Sequence, residues 1–228
     1  MAFQVSPGVQ VKEIDATSVV PAVSTSIGGF AGSFNWGPVE QVVSVSSEKE
    51  LLSTFGTPDD NTALYFLTAS AFLKYGNALQ VVRAASGHDN ATADGSGLLI
   101  KNDEHYTNSG YNTGAGSVGQ WAAKFPGDLG NSLKVEMVTA DVTTNNYNAW
   151  AFQGQFDGKP GTSDYAINLG RSASYNDEVH VIVIDEDGLF TGTANTVLET
   201  FAFMSIGSDA KANDGTSNYY VDVINAQS

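Results

Sequence analysis

The 228-residue sequence contains no cysteine. That excludes disulfides and thiolate metal sites, and it suits assembly in a reducing compartment. No run of 18 apolar residues occurs, which excludes a transmembrane helix by length. The opening MAFQVSPGVQ has neither a basic n-region nor an apolar h-region, so no secretory signal is expected. Basic residues are scarce: ten Lys and Arg stand against 25 Asp and Glu, a formal net charge of -15. Such a chain is repelled by a phosphate backbone, so nucleic-acid binding is not expected. Residues 1–90 hold 8 acids against 4 bases, and residues 91–228 hold 17 against 6. The second part therefore carries most of the negative field, which reads first as a solvated outer surface.

What is present is a 42% hydrophobic share, enough for one large domain or two small ones. The densest patterning runs from Ser24 to Ala85. Ile27–Phe34 is small, apolar and glycine-rich, and Val39–Val45 is β-branched and alternating. Both predict strands; Gly28, Gly29, Ala31 and Gly32 let the first lie close under another element. Ser47–Phe55 predicts a helix capped by Ser46 or Ser47, with Glu50 at capping-box spacing from Ser47 and Gly56 as the stop. Asn61–Tyr75 predicts a second helix, with Leu64, Leu67, Ala71, Phe72 and Tyr75 on one face. Leu79–Ala85 predicts a short buried strand. The order strand, strand, helix, helix, strand is α/β in character.

Residues 1–23 read as an extended arm. Val9, Val11 and Glu13 point one way in a strand, and Gln10, Lys12 and Ile14 the other, after a break at Pro7-Gly8. An isolated strand must pair, either with its own sheet or with a neighbouring subunit's. Residues 86–120 are rich in Gly, Ser, Asn and Thr and read as a flexible linker, with LLIKN a possible strand. In residues 121–228, LKVEMVTA, EVHVIVID and VLETFAFMS predict strands, with AWAFQGQF and DYAINLG as weaker ones. Thr216 or Ser217 predicts the cap of a last helix, burying Tyr220, Val223 and Ile224. The expected architecture is mixed α+β and α/β: an α/β core unit with an appended β-rich domain of sandwich or barrel-like form.

Motifs for chemistry are poor. Gly114, Gly116 and Gly119 fit G-x-G-x-x-G, but polar YNT precedes them and Pro126 limits any following helix, so a glycine loop is the better reading. Asp185, Glu186, Asp187 and Gly188 offer oxygen ligands, yet Thr196 stands where an EF-hand needs glutamate. A hairpin turn is expected there, with weak cation binding by this cluster together with Asp177 and Glu178 as the alternative. His88, His105 and His180 lack metal-ligand spacing; His180 is expected to face solvent or a hydrogen-bond partner. There is no G-x-S-x-G elbow. No catalytic residue, metal or cofactor is expected. An acidic carbohydrate- or cation-binding module is a competing class, with an enzyme behind it.

Four ordered blocks carry a resemblance: SPGVQVKEID; GGFAGSFNWGPVEQVVSVSSEKELLSTFG with ALYFLTASAFLKYGNALQVVRAA; AAKFPGDLGNSLKVEMV; and EVHVIVIDEDGLFTGTANTVLETF. Together they resemble the N-terminal portion of contractile-tail bacteriophage sheath proteins. The resemblance implies a structural subunit in stacked six-fold rings around a tail tube, contracting to drive the tube through the host envelope. Sheaths of contractile secretion or bacteriocin particles are the close alternative. Implied partners are neighbouring subunits, the tube, baseplate and tail terminator proteins, with no nucleic acid and no membrane insertion. Implied localisation is the virion, after assembly in the host cytoplasm. Val5, Val9, Val11, Glu13 and Ile14 map onto an arm that adds a strand to a neighbour, with hinges at Pro7, Gly8 and Pro21. Members are usually longer, so Ser24–Ala85 is expected to be the first half of a split core.

Overall fold

The computed structural model describes residues 27–111, 120–140 and 147–228. The first unit is built in the expected order. β1 (Gly28–Gly32) lies parallel to β3 (Leu79–Arg83), and β2 (Val42–Val45) lies antiparallel on the other side of β3. The sheet order is therefore β1-β3-β2. Any Cβ on Gly28 would sit 2.6 Å from the Phe72 ring, which explains the glycine there.

Helix α1 (Glu48–Phe55) starts where the sequence places it. The Ser47 hydroxyl accepts from the Glu50 amide, and Gly56, at φ 77°, ends the helix. The Glu50 carboxylate reaches back one residue further than a capping box requires, accepting from the Ser46 amide at 2.8 Å and the Ser46 hydroxyl at 2.7 Å. These two donors hold the Glu50 carboxyl below its ordinary range. Helix α2 (Ala63–Leu73) follows a turn in which Asp59 accepts from Asn61 and Thr62.

Both helices cover the same face of the sheet. Phe34, Val45, Leu51, Phe55, Phe66, Ala69, Leu79 and Val81 form their shared core. The opposite face is bare: Gly29, Ala31, Val42, Ser44 and Gln80 are exposed. The face of α2 named from the sequence is mostly outward. Leu64 is 74% exposed, Leu67 61% and Tyr75 96%, while Phe66, Ala69 and Ser70 are buried. The helix is apolar on all sides, so periodicity alone does not choose which side packs.

The stretch expected as a linker holds structure in its described part. Helix α3 (Asp103–Asn108) starts at Asn102, whose side chain accepts from the His105 amide. Asn90, buried, accepts from the Ile100 amide and donates to the Ile100 and Ala123 carbonyls.

The second unit, among the described residues, contains one antiparallel sheet of order β4-β5-β6. Its strands are β4 (Leu133–Thr139), β5 (Glu178–Asp185) and β6 (Thr196–Ser205), the three strongest strand segments of the sequence. The two weaker strand expectations are corrected. AWAFQGQF forms 3-10 turns at Tyr147–Ala149 and Gln153–Gln155. DYAINLG forms the short helix α4 (Asp164–Asn168), because the Ser163 hydroxyl caps it by accepting from the Ala166 amide. Helix α5 (Tyr220–Gln227) packs Tyr220, Val223 and Ile224 on the sheet as expected. Its cap is Tyr219 rather than Thr216 or Ser217; the Ser217 hydroxyl instead donates to Asp222.

His180 is in the interior and does not face solvent. Opposite it β6 bulges: Val179 pairs with Met204 but Val181 pairs with Phe201. Phe203 sits at φ 52°, a strained value for a bulky residue, and turns its amide onto His180 Nδ1 at 3.0 Å. Nε2 therefore carries the proton and donates to the Gly158 carbonyl at 2.8 Å. Phe156 stacks on the ring at 4.4 Å. Burial pulls His180 below its ordinary value of 6.5, against the opposing pull of the Gly158 carbonyl. The unfolded chain then binds a proton that the folded chain resists. Stability should be full above about pH 6.5 and fall as the pH drops below it. Urea midpoints between pH 7 and pH 5 should show this slope, and His180→Gln should flatten it. An equal slope in the variant would assign the effect elsewhere.

Candidate functional site

The two units meet around Arg83, the last residue of β3. Period-two alternation places Leu79, Val81 and Arg83 on the buried face, and Arg83 is 2% exposed. Its guanidinium donates to four backbone carbonyls. Nε reaches Phe34 at 2.8 Å, Nη1 reaches Gly37 at 2.7 Å, and Nη2 reaches Pro126 at 2.7 Å and Asn35 at 3.4 Å. Burial pulls its pKa down to about 10, so the group remains charged near neutrality. The fork fixes the 34–37 turn of the first unit to the Pro126 loop of the second.

Trp36, in that turn, is the apolar half of the joint. Its ring meets Phe125 edge-on at 5.5 Å and Phe190 at 5.1 Å, both from the second unit. A separate tie holds the first unit to the connecting segment. The Val39 amide donates to the Lys101 carbonyl, Asn102 donates to the Val39 carbonyl, and Lys101 Nζ meets both Glu40 oxygens at 2.8 Å.

Two buried carboxylates brace the second unit at opposite ends of β5, Asp185 beside this joint and Asp177 at the far end. Asp185 accepts from the Ser132 hydroxyl at 2.5 Å, the Thr191 amide at 2.8 Å, the Thr191 hydroxyl at 2.9 Å and the Phe190 amide at 3.1 Å. Asp177 accepts from the Ser163 amide and hydroxyl and from the Ser205 hydroxyl. Burial alone would raise both carboxyls; the hydrogen bonds outweigh it and hold both below 3.8. The donors on Asp185 make the β5–β6 connection a self-satisfied hairpin loop, the turn expected for Asp185–Gly188.

Among the described residues, no three His, Asp or Glu converge as metal ligands. A cleft of about 670 Å³ opens beside Arg83, lined also by Asp59, His88 and Asp128. His88 and Asp128 are 3.9 Å apart on its rim, in solvent, where such a pair is largely screened. The expected arm residues Val5, Val9, Val11, Glu13 and Ile14, and the hinges Pro7, Gly8 and Pro21, lie outside the described residues. So does the glycine motif at 114–119. Sequence reading passed over Arg83 and Trp36. The available signal was the alternation of LQVVR, which turns its terminal cation inward with Leu79 and Val81.

Residues 25–84 match the family model described as the N-terminal region of domain III of tail sheath protein Gp18. The tail sheath protein of Enterobacteria phage T4 is 43% identical over 100 residues, 44% of this chain. That of Salmonella phage ViI is 30% identical over 199 residues, 86% of this chain. The chain belongs among the phage tail sheath proteins. A third relative, the tail sheath protein of Vibrio phage KVP40, is 44% identical over 89 residues, 38% of this chain. The matches span 15%, 28% and 13% of the T4, ViI and KVP40 sheath proteins, so this chain corresponds to a minor part of each. The sheath family match coincides with the first unit, and the Arg83 joint lies at its end.

Proposed function

We propose that this chain is the N-terminal part of a structural subunit of a contractile phage tail sheath, a virion component. The observation that carries this is the match to a tail sheath protein across 86% of the chain. In this reading subunits polymerise with copies of themselves as stacked six-fold rings around a tail tube, bounded by baseplate and terminator proteins. Contraction drives the tube through the host envelope. Residues 1–23 serve as the arm, 24–85 as the first half of the core, 86–120 as the connection and 121–228 as the acidic outer domain.

The bare sheet face supports the split core. Sheets that contain parallel strands such as β1–β3 commonly pack elements on both faces, and here one face is exposed. The remaining region of domain III, carried by longer relatives, would supply that cover. The arm, centred on Val9, Val11 and Glu13, would add a strand to a neighbour through backbone hydrogen bonds worth roughly 0.5–1.5 kcal/mol each. Pro7-Gly8 and Pro21 would absorb rotation while those bonds persist.

Deletion of residues 1–15 from the full-length subunit should leave melting of the folded domains unchanged and abolish lateral assembly in negative-stain images. Normal tubes from the deletion would remove the arm assignment.

A further inference from the structure

We infer that the outer face of α2 is a contact between copies of the subunit. Leu64, Leu67, Ala71 and Tyr75 line it at the spacing i, i+3, i+7, i+11 and are all exposed. In a soluble chain this side of a surface helix should be polar. Here its only charge is Lys74, and residues 61–88 contain no Asp or Glu in a sequence that carries 25.

The layering of the fold decides which occupant fits. The core of this unit lies between α1/α2 and the sheet. The rest of the domain has two other places to go, the edges of β1 and β2, which no strand among the described residues pairs, and the exposed face of Gly29, Ala31, Val42 and Gln80. Completing strands or a second helix layer there leaves α2 outermost, since domains are built of two or three layers. Its apolar stripe would then still face out of the finished domain.

Charge points to a second copy as the partner. Two chains of formal charge -15 repel each other wherever carboxylates meet. Close approach is cheapest across a surface without them, and the α2 stripe is such a surface. Lys74 at its end can face the acidic second unit of the neighbour. The inference rests on the sheath reading for the existence of self-assembly, and adds the surface that mediates it.

The test uses the full-length subunit. Leu67→Glu should weaken the association constant read from sedimentation velocity by about tenfold, equivalent to about 1.4 kcal/mol per contact. Melting of the dispersed subunit should not change, because Leu67 is 61% exposed. A benzophenone amino acid in place of Leu67, in a mixture of ¹⁴N- and ¹⁵N-labelled subunits, should give crosslinked peptides of mixed isotope. Crosslinks confined to a single chain would mean that the subunit's own remainder covers α2, and would overturn the inference. Unchanged assembly of Leu67→Glu would overturn it while leaving the sheath reading intact. An unaltered subunit that forms no assembly would overturn both.

Discussion

Arg83→Met should cost on the order of 3 kcal/mol and loosen the two units from each other. The arginine donates to the carbonyls of Phe34, Asn35, Gly37 and Pro126. Methionine fills much of the volume and supplies no donor. Buried carbonyls left without partners each cost about 1–3 kcal/mol, partly offset because the cation itself no longer has to be desolvated. For a chain of this size the loss corresponds to roughly 6–12 °C in Tm. Arg83→Lys should recover little, since one ammonium cannot reach three carbonyls held in a fork. Limited proteolysis between Ala84 and His88 should accelerate in both variants. A Tm within a degree of the parent would show that the joint does not depend on the guanidinium.

Asp185→Ala should have an effect of similar size, from the second unit. Four donors from Ser132, Phe190 and Thr191 converge on this carboxylate. Removing it strands the Phe190 and Thr191 amides and the Ser132 hydroxyl, while the Thr191 hydroxyl can still donate to the Thr193 carbonyl, at about 3 kcal/mol in total. Asp185→Asn should lose less, about 1–2 kcal/mol, because one oxygen still accepts. Hydrogen exchange at the Phe190 and Thr191 amides reads this directly and should rise in the alanine variant. Phe190 also packs on Trp36 at 5.1 Å, so the same substitution should reach the joint. The double variant with Arg83→Met should then be non-additive, as expected for residues that share a partner structure. Strict additivity would mean that the hairpin and the joint are independent. Acid should mimic part of the loss. Asp177 and Asp185 lie below 3.8 in the folded state, so their contribution is full above that value and disappears as the pH falls through the folded pKa.

The relation of the joint to assembly follows from where the two units meet. The first unit coincides with the sheath domain III match, and the second carries most of the acid. In the proposed sheath, a rigid connection would let the first unit carry the acidic second unit with it when subunits repack. Arg83 and Trp36 supply that rigidity through hydrogen bonds and ring contacts, and the Lys101–Glu40 pair adds a charge contact from the first unit to the connecting segment, with a different response to salt. High salt should weaken the exposed Lys101–Glu40 pair and leave the buried Arg83 fork nearly unchanged.

The order and type of the main elements were determined by the sequence alone. β1, β2, α1, α2 and β3, then β4, β5 and β6, follow from local periodicity, from Ser47 and Gly56 at the ends of α1, and from β-branched runs. These signals are local because they depend on residues within a turn or two of each other. Tertiary structure alone decided the rest. Sequence periodicity could not choose the buried side of α2, because ALYFLTASAFL is apolar all round and the choice belongs to the sheet beneath it. It could not show that Phe203 takes a left-handed conformation, because that strain is compensated by His180 on the adjoining strand. It placed Arg83 on a strand, but the carbonyls that hold it lie 43 to 49 residues away in the chain. Only folding brings them within hydrogen-bond reach, at 2.7 to 3.4 Å, and there the buried cation becomes the link between the two halves.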